Sequence, residues 1–132
     1  MKKLINANLS GKILLSAFIL MLILHVLILM QVLPSTIVWG NQIKPDQSNL
    51  LSLELVAIVV TIIFAGIVTV KMRSLKSGTT SKLINLSMWI VFAYLVFNII
   101  GNFSSGVRME TLFFGPLTIL MAFCTLRLAI EK

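Results

Sequence analysis

The chain has 132 residues, of which 58% are hydrophobic and 11% are charged. Four long apolar runs occupy most of that length, which leaves no room for a soluble domain and predicts one membrane domain. The net charge of +7 comes from basic residues scattered around the ends of these runs. That distribution argues against nucleic acid as a partner and for the lipid bilayer.

The apolar runs cover residues 13–33, 50–70, 83–101 and 111–130. A helix rising about 1.5 Å per residue needs about 20 residues to cross a hydrocarbon core of about 30 Å, so each run is long enough. Helices joined by short connections are antiparallel neighbours. The sequence therefore predicts an all-α membrane protein, an antiparallel up-down-up-down bundle of four transmembrane helices that forms a single domain over residues 1–132.

The first run resembles the hydrophobic part of a signal peptide, because it follows a basic N-terminal segment. It is about 21 residues long, however, and it ends at Leu33-Pro34-Ser35-Thr36 without a small-residue cleavage site. A retained first span is the better interpretation.

Three connections separate the spans. Residues 34–49 contain Trp39, Asn41 and Gln42 and are expected outside, either along the membrane surface or folded back over the bundle. Residues 71–82 are basic and then rich in Ser, Gly and Thr, which predicts a cytoplasmic loop with Ser81 as the cap of the third helix. Residues 102–110 form a short second extracytoplasmic loop.

Basic residues orient the spans. Of the 11 Lys and Arg residues, two (Lys44 and Arg108) lie on one side if the spans alternate in direction. The other nine share the side of the termini: Lys2, Lys3, Lys12, Lys71, Arg73, Lys76, Lys82, Arg127 and Lys132. By the positive-inside rule both termini are cytoplasmic.

Polar residues within spans indicate inward faces and candidate sites, because unpaired polar groups are costly in hydrocarbon. The strongest of them gather in the outer half: His25, Glu54, Tyr94 and Asn98. On the third helix a stripe is expected to face into the bundle, formed by Ser87, Tyr94, Asn98, Gly101 and Asn102. Such stripes serve either helix packing or a ligand site. In the inner half, hydroxyl side chains are expected to bond to local backbone carbonyls.

Glu54 and His25 are the candidate titratable groups. Near the interface, Glu54 would be hydrated, would pair with Lys44 or Arg108, or would bind a proton or cation. His25 lies deeper and is expected to be hydrogen-bonded within the bundle, with a proton relay as the alternative.

The last span carries two further signals. Pro116 predicts a kink or a late helix start near the outer surface. Arg127, near the inner end, is expected to reach the cytoplasmic headgroups.

No catalytic motif is present in the sequence, which has no GxSxG, Walker or HExxH pattern. The single cysteine, Cys124, cannot form an internal disulfide, and no metal-ligand pattern is visible. We therefore expect no enzyme activity, no catalytic residue, no metal and no cofactor.

Three short motifs carry a resemblance: Thr36-Ile37-Val38-Trp39-Gly40, Asn98-Ile99-Ile100-Gly101-Asn102 and Pro116-Leu117-Thr118. Over about His25 to Arg127 the chain resembles a group of small four-span bacterial membrane proteins of unknown function. The group usually has a second Gly where this chain has Asn41. The resemblance implies a bacterial inner-membrane location and no activity.

Small multidrug transporters and fluoride channels have a similar length and span count. They often insert in both orientations, which needs nearly balanced Lys and Arg, whereas here the split is nine to two. The glutamate of the multidrug family belongs in the first span, which has none here, and the motifs of the fluoride channels are absent.

The sequence favours a small, non-enzymatic membrane protein with an outward-facing polar pocket or partner surface. The residues expected to form it are Trp39, Asn41, Gln42, Glu54, Tyr94, Asn98 and Asn102. A partner would be another membrane protein or a second copy. The alternative is a small transporter or channel subunit in which Glu54 or His25 titrates.

Overall fold

A computed structural model describes residues 5–39 and 47–131, with the side chains of 5–38 and 49–131. The elements are α1 (Ala7–Leu29), α2 (Thr36–Trp39), α3 (Gln47–Ser77), α4 (Lys82–Ser104), a π-helical turn (Glu110–Phe114) and α5 (Gly115–Ala129). The described residues contain no strand. Four helices are long and apolar enough to cross a membrane: Ala7–Leu29, Asn49–Ser77, Lys82–Ser104 and Glu110–Ala129. The chain is thus an all-α, multi-pass membrane protein, as its apolar runs predict.

Local signals set the helix ends. The Asn6 side chain accepts a hydrogen bond from the Asn8 N–H at 2.9 Å and caps α1. The Ser81 hydroxyl accepts from the Ile84 N–H at 3.2 Å, which confirms the predicted cap of α4. Gly78 follows the last residue of α3 with a φ of +69°, a conformation that glycine adopts at little cost.

Two helix ends differ most from the apolar runs. Helix α1 begins at Ala7 rather than at residue 13, because its cap is Asn6. Helix α3 continues to Ser77, so the connection predicted over residues 71–82 is wrong and is reduced to 78–81. The basic residues after Val70 remain helical, and one of them, Lys71, is fully buried by packing.

The four long helices form a ring in which α1 contacts α3 and α5, and α4 contacts α5 and, less extensively, α3. The packed core lies between them and is made mainly of Leu14, Phe18, Val68, Met88, Val91, Leu95, Met121, Cys124 and Leu128. Much of each helix surface outside this core is exposed and apolar, as expected of a surface in contact with lipid.

Side-chain contacts define two ends of the bundle. The distal end holds His25 of α1 against Glu54 of α3, and Asn102 of α4 against Thr118 of α5. At the opposite, proximal end, Arg127 of α5 contacts Ile5, which precedes α1. These are contacts that antiparallel neighbours make, and the direction in which each helix crosses the membrane stays a prediction.

The inward face of α4 is rotated from the predicted polar stripe. Its buried residues are Met88, Val91 and Leu95, and at 100° per residue Asn98 and Asn102 continue that face. Tyr94 lies at its edge with 45% of its surface exposed. Part of the predicted stripe is therefore wrong. The sequence alone does not distinguish apolar residues that pack inward from apolar residues that face lipid.

Two other polar predictions can be compared with the structure. Hydroxyls of the proximal half donate to carbonyls one turn earlier, as expected: Thr69 to Ala65, Ser87 to Leu83 and Thr125 to Met121. Near Pro116 the helix widens into the π-helical turn, where the Gly115 N–H donates to the Glu110 carbonyl oxygen five residues earlier. Helix α5 proper then begins at Gly115, which is the late start that Pro116 predicts.

Candidate functional site at the distal end

A buried polar pair joins α1 and α3. His25 Nδ1 lies 2.7 Å from Glu54 Oε2, and the two residues are 6% and 0% exposed. With Glu54 ionised, the Nδ1–H of the ring donates to the carboxylate. The expectation of a hydrated Glu54 is therefore wrong, whereas His25 is hydrogen-bonded within the bundle as predicted.

The sequence contained a signal for this contact. His25 is the only histidine of the chain, and Glu54 is an acidic residue in the next span. Polar groups within membrane spans pair with one another when they can, and spans joined in a hairpin are neighbours. Lys44, an alternative partner considered for Glu54, lies outside the described residues.

A central cavity of about 160 Å³ lies beside the pair. Polar side chains on its wall include His25, Tyr94, Asn98, Asn102 and Thr118. Thr61 also lines the cavity. The rest of the wall is apolar and partly aromatic: Phe18, Met21, Val38, Ala57, Val60, Phe64, Leu95, Phe114 and Met121. The cavity therefore offers both hydrogen-bonding groups and ring faces to a ligand.

A second space, the distal cleft, has a volume of about 250 Å³ and shares Val38, Asn98 and Asn102 with the central cavity. Its other lining residues are Gly101, Ser104, Ser105 and Glu110. Val38 belongs to α2, so the connection between α1 and α3 folds back over the bundle at this residue. The two spaces together run from the distal end of the bundle towards its core.

Hydrogen bonds fix part of the cavity wall. The Asn102 side-chain N–H donates to the Thr118 hydroxyl at 3.0 Å, and this hydroxyl donates to the Phe114 carbonyl oxygen at 2.6 Å. The Asn98 amide donates to the Tyr94 carbonyl oxygen at 3.0 Å. Tyr94 itself packs edge-on against Phe64, with ring centroids 5.0 Å apart. These contacts orient the side chains that a ligand would meet.

The structure brings together three of the seven predicted site residues, since Tyr94, Asn98 and Asn102 line the central cavity. Glu54 does not line the cavity itself but is hydrogen-bonded to His25, which does. Asn41, Gln42 and the side chain of Trp39 lie outside the described residues. Whether these residues form a binding site stays a prediction.

A second polar cluster lies at the proximal end, and sequence reasoning missed it. Lys71 is fully buried and donates to the Asn85 side-chain oxygen and, at 2.6 Å, to the Glu131 carbonyl oxygen. Arg127 is 3% exposed and donates to the Ile5 carbonyl oxygen at 3.0 Å and to Glu131 Oε2 at 2.6 Å. The prediction that Arg127 reaches the headgroups is wrong, because the Ile5 carbonyl oxygen, which precedes α1, and the Glu131 carboxylate, four residues further along, hold it inside the bundle.

No group of three or more His, Cys, Asp or Glu residues that could hold a metal ion occurs within residues 5–39 and 47–131. Models of known protein families, curated proteins and solved structures give no match to this chain.

Proposed function

We propose that the protein is a non-enzymatic membrane protein that binds a small ligand in the central cavity and distal cleft. The single observation that supports it best is the buried His25–Glu54 pair at 2.7 Å on the edge of a cavity lined by amide and hydroxyl groups. Ionisable groups within membrane spans are costly to bury and mark functional sites by default.

We also propose which membrane holds the protein and which side of it each end of the bundle faces. The resemblance favours a bacterial cytoplasmic membrane. Among the residues that the structure describes, four exposed basic residues lie towards the proximal end, namely Lys12, Arg73, Lys76 and Lys82, and one, Arg108, lies towards the distal end. By the positive-inside rule the proximal end and both termini face the cytoplasm, and the distal cleft opens to the outer side.

A ligand-observed NMR screen of small amines, amides, alcohols and acids with the purified protein in detergent tests the binding. Ala57 lines the central cavity, so Ala57→Phe should fill it and abolish the signals of bound compounds. Ala93→Phe is the matched control, because Ala93 is exposed and lies outside the cavity wall. The proposal fails if no compound distinguishes the wild type from Ala57→Phe.

A proton-coupled transporter is the second candidate function. The observation that favours it is that the two titratable groups share one hydrogen bond and that His25 lines the cavity. In this function a ligand that enters the cavity meets His25, and a proton crosses the membrane with it by way of the His25–Glu54 pair.

Proteoliposomes loaded with a pH-sensitive dye separate the two functions. Compounds that bind in the NMR screen are added under an imposed pH gradient. Proton movement that depends on the compound and is abolished by Glu54→Gln would overturn the non-transport proposal. Binding without proton movement in the wild type would support it.

A further inference from the structure

Glu110 is a buried carboxyl without a partner among the residues that the structure describes. It opens the π-helical turn, is 4% exposed and lines the distal cleft. Within residues 5–39 and 47–131, its Oε1 has no hydrogen-bond donor and the carboxylate has no ion pair. The neighbouring cation in the sequence, Arg108, is exposed.

An unpaired carboxylate in such a place is costly, and the cost is relieved when a proton or a cation binds it. The cleft around Glu110 suits a cation that donates hydrogen bonds. Its wall carries two amides and two hydroxyls, from Asn98, Asn102, Ser104 and Ser105. An ammonium group has three N–H donors and no acceptor, so carbonyl, hydroxyl and carboxylate oxygens are its natural partners.

The adjoining central cavity indicates what the rest of the ligand is. The two spaces share Val38, Asn98 and Asn102, and the central wall presents four aromatic rings, those of Phe18, Phe64, Tyr94 and Phe114. Aromatic faces attract both apolar groups and cations. A ligand with its charge in the cleft and its apolar body towards these rings would use both spaces.

We infer that Glu110 is the anionic centre of a binding site for a small protonated amine with an apolar body. This inference deepens the proposed ligand-binding function and rests on it. The ammonium group lies in the distal cleft against Glu110, and the apolar body points towards the aromatic rings of the central cavity.

Two probes of nearly equal shape test the charge preference. Benzylammonium carries the cation, and benzyl alcohol is its neutral counterpart. Calorimetric titration of the full chain in detergent should show benzylammonium binding at least about tenfold more tightly, the size of one charge-assisted hydrogen bond. In Glu110→Gln the two probes should bind with similar affinity.

Controls separate this inference from the proposed function. Retained binding of benzyl alcohol shows that Glu110→Gln is folded. Glu131→Gln removes the same charge at the proximal end and should leave the preference for benzylammonium unchanged. Equal binding of both probes to the wild type overturns the amine site and leaves the cavity. Failure of both probes to bind at millimolar concentration overturns the amine site, and the NMR screen with Ala57→Phe then decides separately whether the cavity binds a ligand.

The ammonium group can belong to a free amine or to a lipid headgroup. Adding phosphatidylethanolamine to the micelles distinguishes these sources, with phosphatidylglycerol as the control lipid. Loss of benzylammonium binding with phosphatidylethanolamine alone assigns the site to the headgroup amine. Unchanged binding assigns it to a free amine. A preference for benzylammonium that survives in Glu110→Gln overturns the role of Glu110.

Discussion

At the scale of single residues, burying an ionisable side chain costs much less free energy when it has a hydrogen-bonded partner than when it has none. His25 and Glu54 have little access to water, and the hydrogen bond between them supplies each side chain with a partner in place of it. Removing one member of such a pair costs about 3–5 kcal/mol, whereas replacing both with apolar residues can be nearly neutral.

We therefore expect His25→Leu and Glu54→Leu each to lower the free energy of unfolding by about 3–5 kcal/mol. The double variant should lose less than the sum, because both substitutions remove the same hydrogen bond. Far-UV circular dichroism during titration with a denaturing detergent measures all three. Additive losses would show that the two side chains do not stabilise each other.

At the proximal end, Lys71 is another buried ionisable side chain that is held by hydrogen bonds. Lys71→Met leaves the Asn85 side chain and the Glu131 carbonyl without their donor and should cost about 3 kcal/mol. Lys76 lies on the same helix and is exposed, so Lys76→Met should change stability by less than about 0.5 kcal/mol. Equal losses in the same unfolding assay would contradict an internal role for Lys71.

At the scale of elements, the close approach of α1 and α3 depends on a glycine. A Cβ added at Gly11 would overlap the Met72 side chain, including its Cγ at 2.7 Å. Small residues at such crossings allow membrane helices to pack closely.

Gly11→Ala should therefore destabilise the bundle by about 1–3 kcal/mol. Gly66 on α3 has open space where a Cβ would lie, so Gly66→Ala should be neutral or stabilise by up to about 1 kcal/mol. Thermal unfolding in detergent compares the two. Shortening the neighbour with Met72→Ala should recover part of the loss in Gly11→Ala, and no recovery would argue against the overlap as its cause.

Elements were predictable from the sequence to different degrees. Four helices, the Ser81 cap and the late start near Pro116 follow from local patterns, because span length, capping and proline chemistry act within a few residues. The burial of Lys71 within α3 did not follow, since its partners Asn85 and Glu131 lie on other segments. The same limit applies to the contact of Arg127 with the distant Ile5 carbonyl oxygen.

For the candidate site, the sequence did not predict how α4 is rotated about its own axis. Lipid and a packed core are both apolar, so the sequence does not distinguish the face of α4 with Val91 and Leu95 from the exposed face. Asn98 and Asn102 were placed inward correctly because polar groups avoid lipid. Tyr94 lines the central cavity, but 45% of its surface is exposed. Its aromatic ring is tolerated at the edge of the bundle, where it packs on Phe64.

At the scale of the whole molecule, the positive-inside rule predicts that the distal end faces outward. Cys124 is buried, and Cys124→Ser gives a background without cysteine. In that background Ser104→Cys marks the distal end and Thr79→Cys the connection after α3, both at exposed positions.

A membrane-impermeant maleimide applied to intact bacterial cells should label the cysteine at 104 and not the one at 79. Disrupting the membrane should make both accessible, which controls for reactivity. The reverse pattern in intact cells would invert the assigned orientation, and equal labelling would indicate insertion in both orientations.

Two of the hydrogen bonds at the proximal end join residues far apart in the sequence, and this separation sets when they can form during synthesis. Lys71 and the Glu131 carbonyl are 60 positions apart, and Arg127 and Ile5 are 122 positions apart. The pairing of α1 with α3 needs only residues made early in translation. Lys71 therefore gains the Glu131 carbonyl only after 60 further residues have been made, and until then the membrane insertion machinery would have to stand in for this acceptor.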